Sequence, residues 1–475
     1  MLLPKKGLNP KQLFNFFQET EKADTKWNSG KLFGYVFDPT EKYRKFPEKI
    51  LLKYYHKSGL DFTVFPSLLK IEQEIIDFSI RHLNGDENCC GSFTSGGTES
   101  ILLAVKTARD YTLSKKNIKE PEILLPITAH PAFHKAARYF GLKTKLISLN
   151  KDLKVNLQEL EQSINQNTIM IVGSAPSYTY GILDPIPDMA QIAKKYGLFF
   201  HVDACMGGFF LPFLKKLNIA IPNFDFSIEG VSSISMDFHK FAYAPKGSSV
   251  ILYRNKEIRK YQIFSCANWI GYTMINPTIQ STKSGGPLAA TYATLMLIGE
   301  DGYIKLIKKK LEALKKIQNF IKNHKDLTLI SEHPIPLLAF TSNTINIFHI
   351  VDEMNLKGWY IQPVLSYENF KESIHLTINY SNVSRIDEFL IDLEASIEKA
   401  KQLPSNTLLE KLKSFMDQIQ KNQINIENLV QEVIKKLEMK PNELPKRFAP
   451  INEFLNILPI ELREQILLEY VNFIL

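Results

Sequence analysis

Cysteine is scarce in this chain, with four in 475 residues: Cys89, Cys90, Cys205 and Cys266. Their spacing builds neither a disulfide framework nor a metal site, and it fits a reducing compartment. Long apolar runs are missing as well. None reaches the ~18 residues that a membrane span needs, and only a short apolar start precedes Lys5 and Lys6 where a secretory leader would have a longer one. The expectation is a cytoplasmic chain without a membrane anchor. No nucleic-acid-binding signature interrupts the pattern. The net charge of +8 comes from lysines spread over helical segments and densest late in the chain, as on a solvated surface. No internal repeat is present.

What the chain has is length and alternation. With 44% hydrophobic and 23% charged residues, it has the composition of a soluble globular protein with room for about two to three cores. Pro10 to Lys22 is patterned as an amphipathic helix, and Trp27, Phe33, Tyr35 and Phe37 crowd the turns that follow. A second helical pattern runs from Phe65-Pro66-Ser67 to Leu83, where Asn84-Gly85 ends it. Short β-rich runs then occupy Ile123 to Ile127, Thr144 to Leu149, Thr168 to Ser174, Leu198 to Val202, Ser232 to Met236 and Ser248 to Tyr253. Helical stretches lie among them at Glu99 to Ser114, Pro131 to Phe140 and Pro187 to Tyr196. Such alternation predicts an α/β fold, a mostly parallel sheet flanked by helices with the ligand crevice at the carboxyl ends of the strands.

A long helical pattern from about Leu288 to Asn323 leaves this unit. Strand-like runs at Leu327 to Ser331, Thr344 to Ile350 and Ser373 to Asn379, with a helix near Ile386 to Lys401, predict a smaller α+β domain. Beyond Pro404 the chain reads as helical and Lys-rich, and Leu458 to Leu475 is amphipathic. The division expected is an arm over residues 1–60, a large domain over 61–300, a small domain over 301–404 and a helical extension over 405–475.

Three motifs sit at predicted strand ends. Thr94-Ser95-Gly96-Gly97-Thr98-Glu99-Ser100 opens a helix. Its glycines let backbone approach an anion, and the free amides and dipole of the helix start favour negative charge, which makes a phosphate cradle. A capping box built on Ser95 or Thr98 is the alternative. Asp203 closes an apolar strand, where its carboxylate is costly unless paired with a cation such as a protonated pyridine nitrogen; capping the next turn is its structural alternative. His239-Lys240 follows a Ser-rich run and precedes a Gly/Pro turn, a setting for a Schiff-base lysine. With His130 before Pro131, the order supplies what pyridoxal 5′-phosphate needs: a phosphate cradle, a partner for the ring nitrogen, a ring to stack and an amine.

On these residues the chain resembles the sphingosine-1-phosphate lyase family within the group II pyridoxal-phosphate decarboxylase superfamily, of fold type I. The motifs are TSGGTESILLAVKTARD at Thr94 to Asp110, HPAFHKAARYFG at His130 to Gly141, GSAP at Gly173 to Pro176, HVDACMGGF at His201 to Phe209 and HKFAYAPKGSS at His239 to Ser249. The resemblance implies that Lys240 bonds the cofactor, Asp203 partners its ring nitrogen and His130 stacks on its ring. It implies Gly97, Thr98 and His239 at the phosphate, with Ser174 and His201 as further cofactor contacts. Lys246 and Tyr243 join Lys240 as catalytic candidates, with Tyr178 and Tyr180 as further acid/base candidates, and no metal is expected. The family also implies a homodimer with active sites at the subunit interface, and retro-aldol cleavage of a phosphorylated long-chain base to an aldehyde and phosphoethanolamine.

Three positions expected at the substrate depart from the family pattern. Phe37 stands where the lyases carry a Tyr, Asp61 falls in the run where they carry a His, and Lys283-Ser284 replaces Arg-Pro. A carboxylate at Asp61 within ~4 Å of a substrate phosphate would cost on the order of several kcal/mol, which sets these changes against a phosphorylated substrate. Two other functions stay open: a group II amino-acid decarboxylase, and a catalytically idle cofactor-binding regulatory protein. An aminotransferase is disfavoured, because Arg385 is the one arginine between Lys325 and Pro404 and it falls at a helix start that reads as exposed.

Overall fold

The computed structural model describes residues 3–404 and 445–474. Its first elements are helices α1 (Pro10–Thr20), α2 (Glu41–Tyr54) and α3 (Pro66–His82). A seven-stranded sheet follows, built from β1 (Cys90–Thr94), β2 (Glu122–Pro126), β3 (Lys143–Ile147), β4 (Thr168–Ser174), β5 (Phe199–Asp203), β6 (Ser233–Asp237) and β7 (Ser249–Tyr253). Their order is β1-β7-β6-β5-β4-β2-β3. From β3 to β6 all neighbours are parallel, and β7 runs antiparallel to both β6 and β1. Every residue of β4, β5, β6 and β7 is buried, as strands covered on both faces must be.

Helices α4 (Gly97–Leu113), α5 (Ala132–Phe140), α6 (Leu157–Ser163) and α7 (Ile186–Tyr196) provide the crossovers between the parallel strands. Phe200, Val202, Ile234 and Met236 point into one core, while Ile169, Val172, Phe199 and Ile251 point into another beneath α4 and α5. The expected mostly parallel sheet with flanking helices is therefore present. The short helix α8 (Leu211–Lys216) lies between β5 and β6, while α9 (Lys256–Arg259) and a hairpin of β8 (Phe264–Cys266) and β9 (Met274–Asn276) lead from β7 to α10 (Gly285–Asn323). This helix is broken at Gly299, whose φ of 65° is a conformation that glycine adopts without steric cost.

A second sheet, all antiparallel, has the order β10-β11-β13-β12, from β10 (Thr328–Leu329), β11 (Leu337–Thr341), β12 (Gln362–Val364) and β13 (Ser373–Thr377). It packs with α11 (Ile347–Leu356) and α12 (Ile386–Ala400) around Phe33, Phe340, Trp359 and Phe389. The strand expected at Thr344 to Ile350 is instead the start of α11. Asn346 accepts the Phe348 N–H at 3.0 Å, and this N-cap turns an apolar, β-branched run into a helix. The strand lies earlier, at β11.

The expectation for residues 405–444 falls outside the described residues, whereas Ile460–Ile474 is helical. No described helix is long and apolar enough to cross a membrane.

Candidate active site

Where β4, β5 and β6 end, the crevice opens as a cavity of about 420 Å³. Asp237 terminates β6, and the turn after it carries His239 and Lys240 to the cavity wall. Lys240 Nζ lies 2.9 Å from Asp237 Oδ2. Burial alone would depress the Lys240 pKa, but the Asp237 carboxylate overrides it and the net shift is upward. Burial likewise disfavours ionised Asp237, and Lys240 with His239 reverses that to a net lowering. In the resting protein the two form an ion pair.

Asp203, at the end of β5, shares this wall. Its Oδ1 accepts from the Cys205 N–H at 3.0 Å and the Ser235 hydroxyl at 3.3 Å. Across from it begins α4, with Gly97 and Thr98 on the wall. No side chain caps this helix, so the capping-box alternative is not what the fold uses; the Ser95 N–H donates to Glu99 Oε2 at 2.6 Å. A Cβ at Gly97 would stand 2.8 Å from Asp237 Oδ2 and 2.9 Å from Cys205 Sγ. Only glycine fits there, and the free amides of the first turn stay open to an anion. His130 holds the entry to α5, its Nδ1 accepting the Ala132 N–H at 3.2 Å. Ser174 closes β4 on the same wall, its N–H donating to Asp184 Oδ2 at 2.8 Å.

The cavity thus gathers Lys240, Asp203, His130, His239, Gly97, Thr98, Ser174, Lys246 and Phe37. Lys246 donates to the Tyr35 carbonyl and stands 5.7 Å over the Phe37 ring. Burial lowers its pKa, and repulsion from Lys240 lowers it further.

Other expected residues lie elsewhere. His201 is buried behind the wall, between Ser233 Oγ at 2.7 Å and Ser235 Oγ at 3.2 Å. Burial pushes its pKa down to about 4, so the neutral ring orients Ser235, which in turn donates to Asp203. Tyr243 has a positive φ of 62° and is buried away from the cavity; Tyr180 does not line it either. Asp61 is exposed and accepts from the Thr63 N–H and hydroxyl at 2.8 and 2.6 Å, outside the cavity of its own chain. Lys283 donates to the Phe93 carbonyl at 3.0 Å and lines a separate cavity of about 180 Å³ beside Ser95. Arg385 is half-exposed and paired with Glu388 at 3.0 Å.

The cavity also includes residues with no readable motif. Thr128 precedes His130, and Gln362 and Thr377 come from the second sheet. Tyr178 donates to Gln362 Oε1 at 2.6 Å, and its ring lies 4.3 Å from that of His375. Tyr178, expected as an acid/base candidate, thus lines the cavity, and so does Asp237, a carboxylate three residues before the lysine.

The walls fit pyridoxal phosphate on their own chemistry. The Gly97 turn leaves space and amides for a phosphate, Asp203 offers a carboxylate, and Lys240 offers the amine. Thr128 Oγ1 is buried with no hydrogen-bond partner among the described residues, leaving it free for a polar ligand. Among those residues, no group of three or more His, Cys, Asp or Glu is placed to hold a metal ion.

Comparison with known proteins points the same way. The Pyridoxal-dependent decarboxylase conserved domain matches residues 22–343, and the C-terminal HTH domain of pyridoxal-dependent enzymes matches residues 428–473. The sphingosine-1-phosphate lyase of Arabidopsis thaliana is 39% identical over 411 residues, covering 85% of this chain and 74% of the plant protein. Sphingosine-1-phosphate lyase 1 of Rattus norvegicus is 37% identical over 405 residues, covering 85% of this chain and 70% of its own. The solved sphingosine-1-phosphate lyase of Burkholderia pseudomallei superposes with a TM-score of 0.80 at 30% identity, over 90% of this chain and 97% of that one. The chain belongs to the sphingosine-1-phosphate lyase family of pyridoxal-phosphate-dependent enzymes, and it is a fold type I lyase that uses this cofactor.

Proposed function

We propose that the protein cleaves the Cα–Cβ bond of a phosphorylated long-chain base by retro-aldol chemistry, releasing an aldehyde and phosphoethanolamine. The observation that carries this reading is the second ammonium in the cavity. Lys246 faces the same space as Lys240, across an apolar wall that includes Phe37, Ile101 and Met206, which suits an anionic head with an apolar chain. Among the described residues no arginine lines the cavity to clamp an amino-acid carboxylate, so the decarboxylase alternative fits less well. Asp61, directed into its own turn, leaves the single chain without the charge repulsion that counted against a phosphate.

Pyridoxal phosphate, when bound, supplies an electron sink conjugated to the substrate's Cα. The protein's part is to hold and orient. In this reading Asp203 keeps the ring nitrogen protonated, His130 packs on the ring, and Gly97, Thr98 and His239 hold the phosphate. Lys246 binds the substrate's phosphate, and Tyr178, fixed by Gln362 and close to the cavity floor, serves the substrate's hydroxyl. Bond choice would follow from which substrate bond these groups orient.

A homodimer is part of the proposal. Helix α1 buries none of its side chains and exposes Phe14 and Phe17, and the β8–β9 hairpin exposes Trp269, Ile270 and Tyr272. Apolar surfaces of this kind mark association sites. The expected setting is the cytoplasm, with no nucleic-acid partner. Purified protein incubated with dihydrosphingosine-1-phosphate, with the unphosphorylated base and with a panel of amino acids tests the reading. Aldehyde from the phosphorylated base supports it, carbon dioxide with an amine overturns it in favour of the decarboxylase, and no product with retained cofactor leaves the regulatory role.

A further inference from the structure

The ion pair at the cavity floor borders the phosphate cradle. The Asp237 side chain is 1% exposed, and the position of a Cβ at Gly97 lies 2.8 Å from its Oδ2 and 3.0 Å from its Oδ1. Oδ1 makes no hydrogen bond among the described residues, the nearby Ser249 hydroxyl being given to the Met236 carbonyl at 3.1 Å. His239 Nε2 stands 3.7 Å from Oδ2. Its Nδ1 lies 2.8 Å from the Ser248 carbonyl, which requires the proton on Nδ1 and leaves Nε2 of the neutral ring without one to give. The other charged or titratable groups that act on or feel Lys240 are Asp203 and Cys205, from β5 and the turn after it, His130 at the start of α5, Lys246 in the turn before β7 and Tyr178 after β4. Of these only Asp237 is paired with Nζ.

An ammonium cannot act as a nucleophile, so the amine must lose a proton before it can bond a carbonyl. A carboxylate beside a phosphate cradle is also a second anion at the seat of a dianion. One proton transfer resolves both. We propose that Asp237 is a positioning residue that stores the proton of Lys240: it holds the amine as an ammonium in the cofactor-free protein and takes that proton when the cofactor enters. One N–H bond breaks, its electron pair stays on Nζ, and one O–H bond forms on Asp237. Capture of the free amine by the cofactor's aldehyde, with release of one water, would draw the exchange forward and leave the neutral acid beside the phosphate cradle. The inference rests on Lys240 being the cofactor's lysine.

The test uses cofactor-free wild type, Asp237→Asn and Lys240→Ala proteins. Reductive methylation across a pH series, read by mass spectrometry, reports the free-amine fraction at Lys240 against the exposed Lys5 as internal reference. In the wild type Lys240 should label half-maximally at a higher pH than Lys5. In Asp237→Asn its profile should move down, with labelling at pH 8 rising about tenfold for each unit moved, while the profile of Lys5 stays in place. The rate at which Schiff-base absorbance grows on adding pyridoxal phosphate should shift along the same pH axis. A role in packing alone would change occupancy without moving either profile. A wild-type Lys240 that labels no later than Lys5 overturns the proposal even where the variant does not fold, and so does an unmoved profile in a folded Asp237→Asn. Schiff-base absorbance persisting in Lys240→Ala would instead overturn the underlying assignment of the lysine.

Discussion

Lys310 Nζ stands 4.2 Å from the centre of the Phe241 ring, inside the core and out of reach of any polar partner among the described residues. Phe210 and Tyr243 add rings at 4.8 and 5.3 Å, and the lysine is 0% exposed. Ring faces attract a cation, but three of them do not replace lost hydration. Burial therefore drives the pKa of Lys310 well below its ordinary value.

The consequence is a stability that depends on pH. The unfolded chain carries Lys310 as an ammonium up to about pH 10.4, whereas the folded chain loses that proton at a much lower pH. Between the two values the unfolded state binds more protons, so wild-type stability rises with pH. Lys310→Met, of similar length and apolar, should be more stable at pH 7 by about 1–3 kcal/mol, the cost of a buried unpaired polar group, and its advantage should shrink as pH approaches 10. Urea midpoints of both proteins across that range check the size and the sign. An advantage that stays constant with pH would mean that packing, not ionisation, sets the difference.

Asp203→Ala should separate binding from chemistry. Cys205 N–H and Ser235 Oγ, which now bond the carboxylate, would face the cavity alone, and, if Asp203 partners the ring nitrogen as proposed, that nitrogen would lose its anionic partner. With Lys240 and the Gly97 turn untouched, the cofactor should still bond and absorb. The expected outcome is a kcat lower by roughly 10²–10³-fold, as for loss of one preorganised electrostatic group, with normal cofactor occupancy. Asp203→Glu restoring part of kcat would locate the effect in the charge.

Gly97→Ala tests the cradle directly. The added methyl would lie 2.8 Å from Asp237 Oδ2 and 2.9 Å from Cys205 Sγ, so the wall must shift by several tenths of an ångström. Overpacking of this kind costs about 1–3 kcal/mol, and where the cost falls on the phosphate seat it weakens cofactor binding by roughly 5- to 150-fold. Titrating cofactor-free protein with pyridoxal phosphate and following its absorbance measures this. An unchanged affinity would mean that the phosphate sits elsewhere.

Much of this site was readable because its chemistry falls at strand ends. Thr168 to Ser174 was expected as a strand and is β4 over that whole span, since a run buried on both faces needs no alternation to be recognised. Asp203 and Lys240 followed from the same logic. Legibility ended where a side chain's direction depends on distant packing. Tyr243 follows Lys240 by three residues, yet its left-handed backbone places the ring in the core with Lys310. His201 is two residues before Asp203 and acts from behind it through Ser235. Gln362 and Thr377 reach the cavity from β12 and β13 of the second sheet, far along the chain, which no local pattern records. Asn346 reversed the expectation at Thr344 to Ile350 through a single capping hydrogen bond.

If Lys246 binds the substrate's phosphate as proposed, it is the residue that distinguishes the phosphorylated base from the unphosphorylated one. Its ammonium is held by the Tyr35 carbonyl and the face of Phe37, neither of which carries a formal charge, so the positive charge remains available to an anion. Lys246→Met should raise KM for the phosphorylated base by roughly tenfold or more, the ~1.5–3 kcal/mol of a charge-assisted hydrogen bond, while KM for the unphosphorylated base changes little. Burial and Lys240 lower the Lys246 pKa, so the cation is lost at a lower pH than from an ordinary lysine. KM for the phosphorylated base should accordingly climb on the alkaline side before pH 10.5 is reached. Lys246→Arg, charged at every working pH, should remove that climb even where its geometry costs some affinity. If Lys246→Met raises KM for both bases equally, the lysine shapes the wall and the phosphate is bound by other groups.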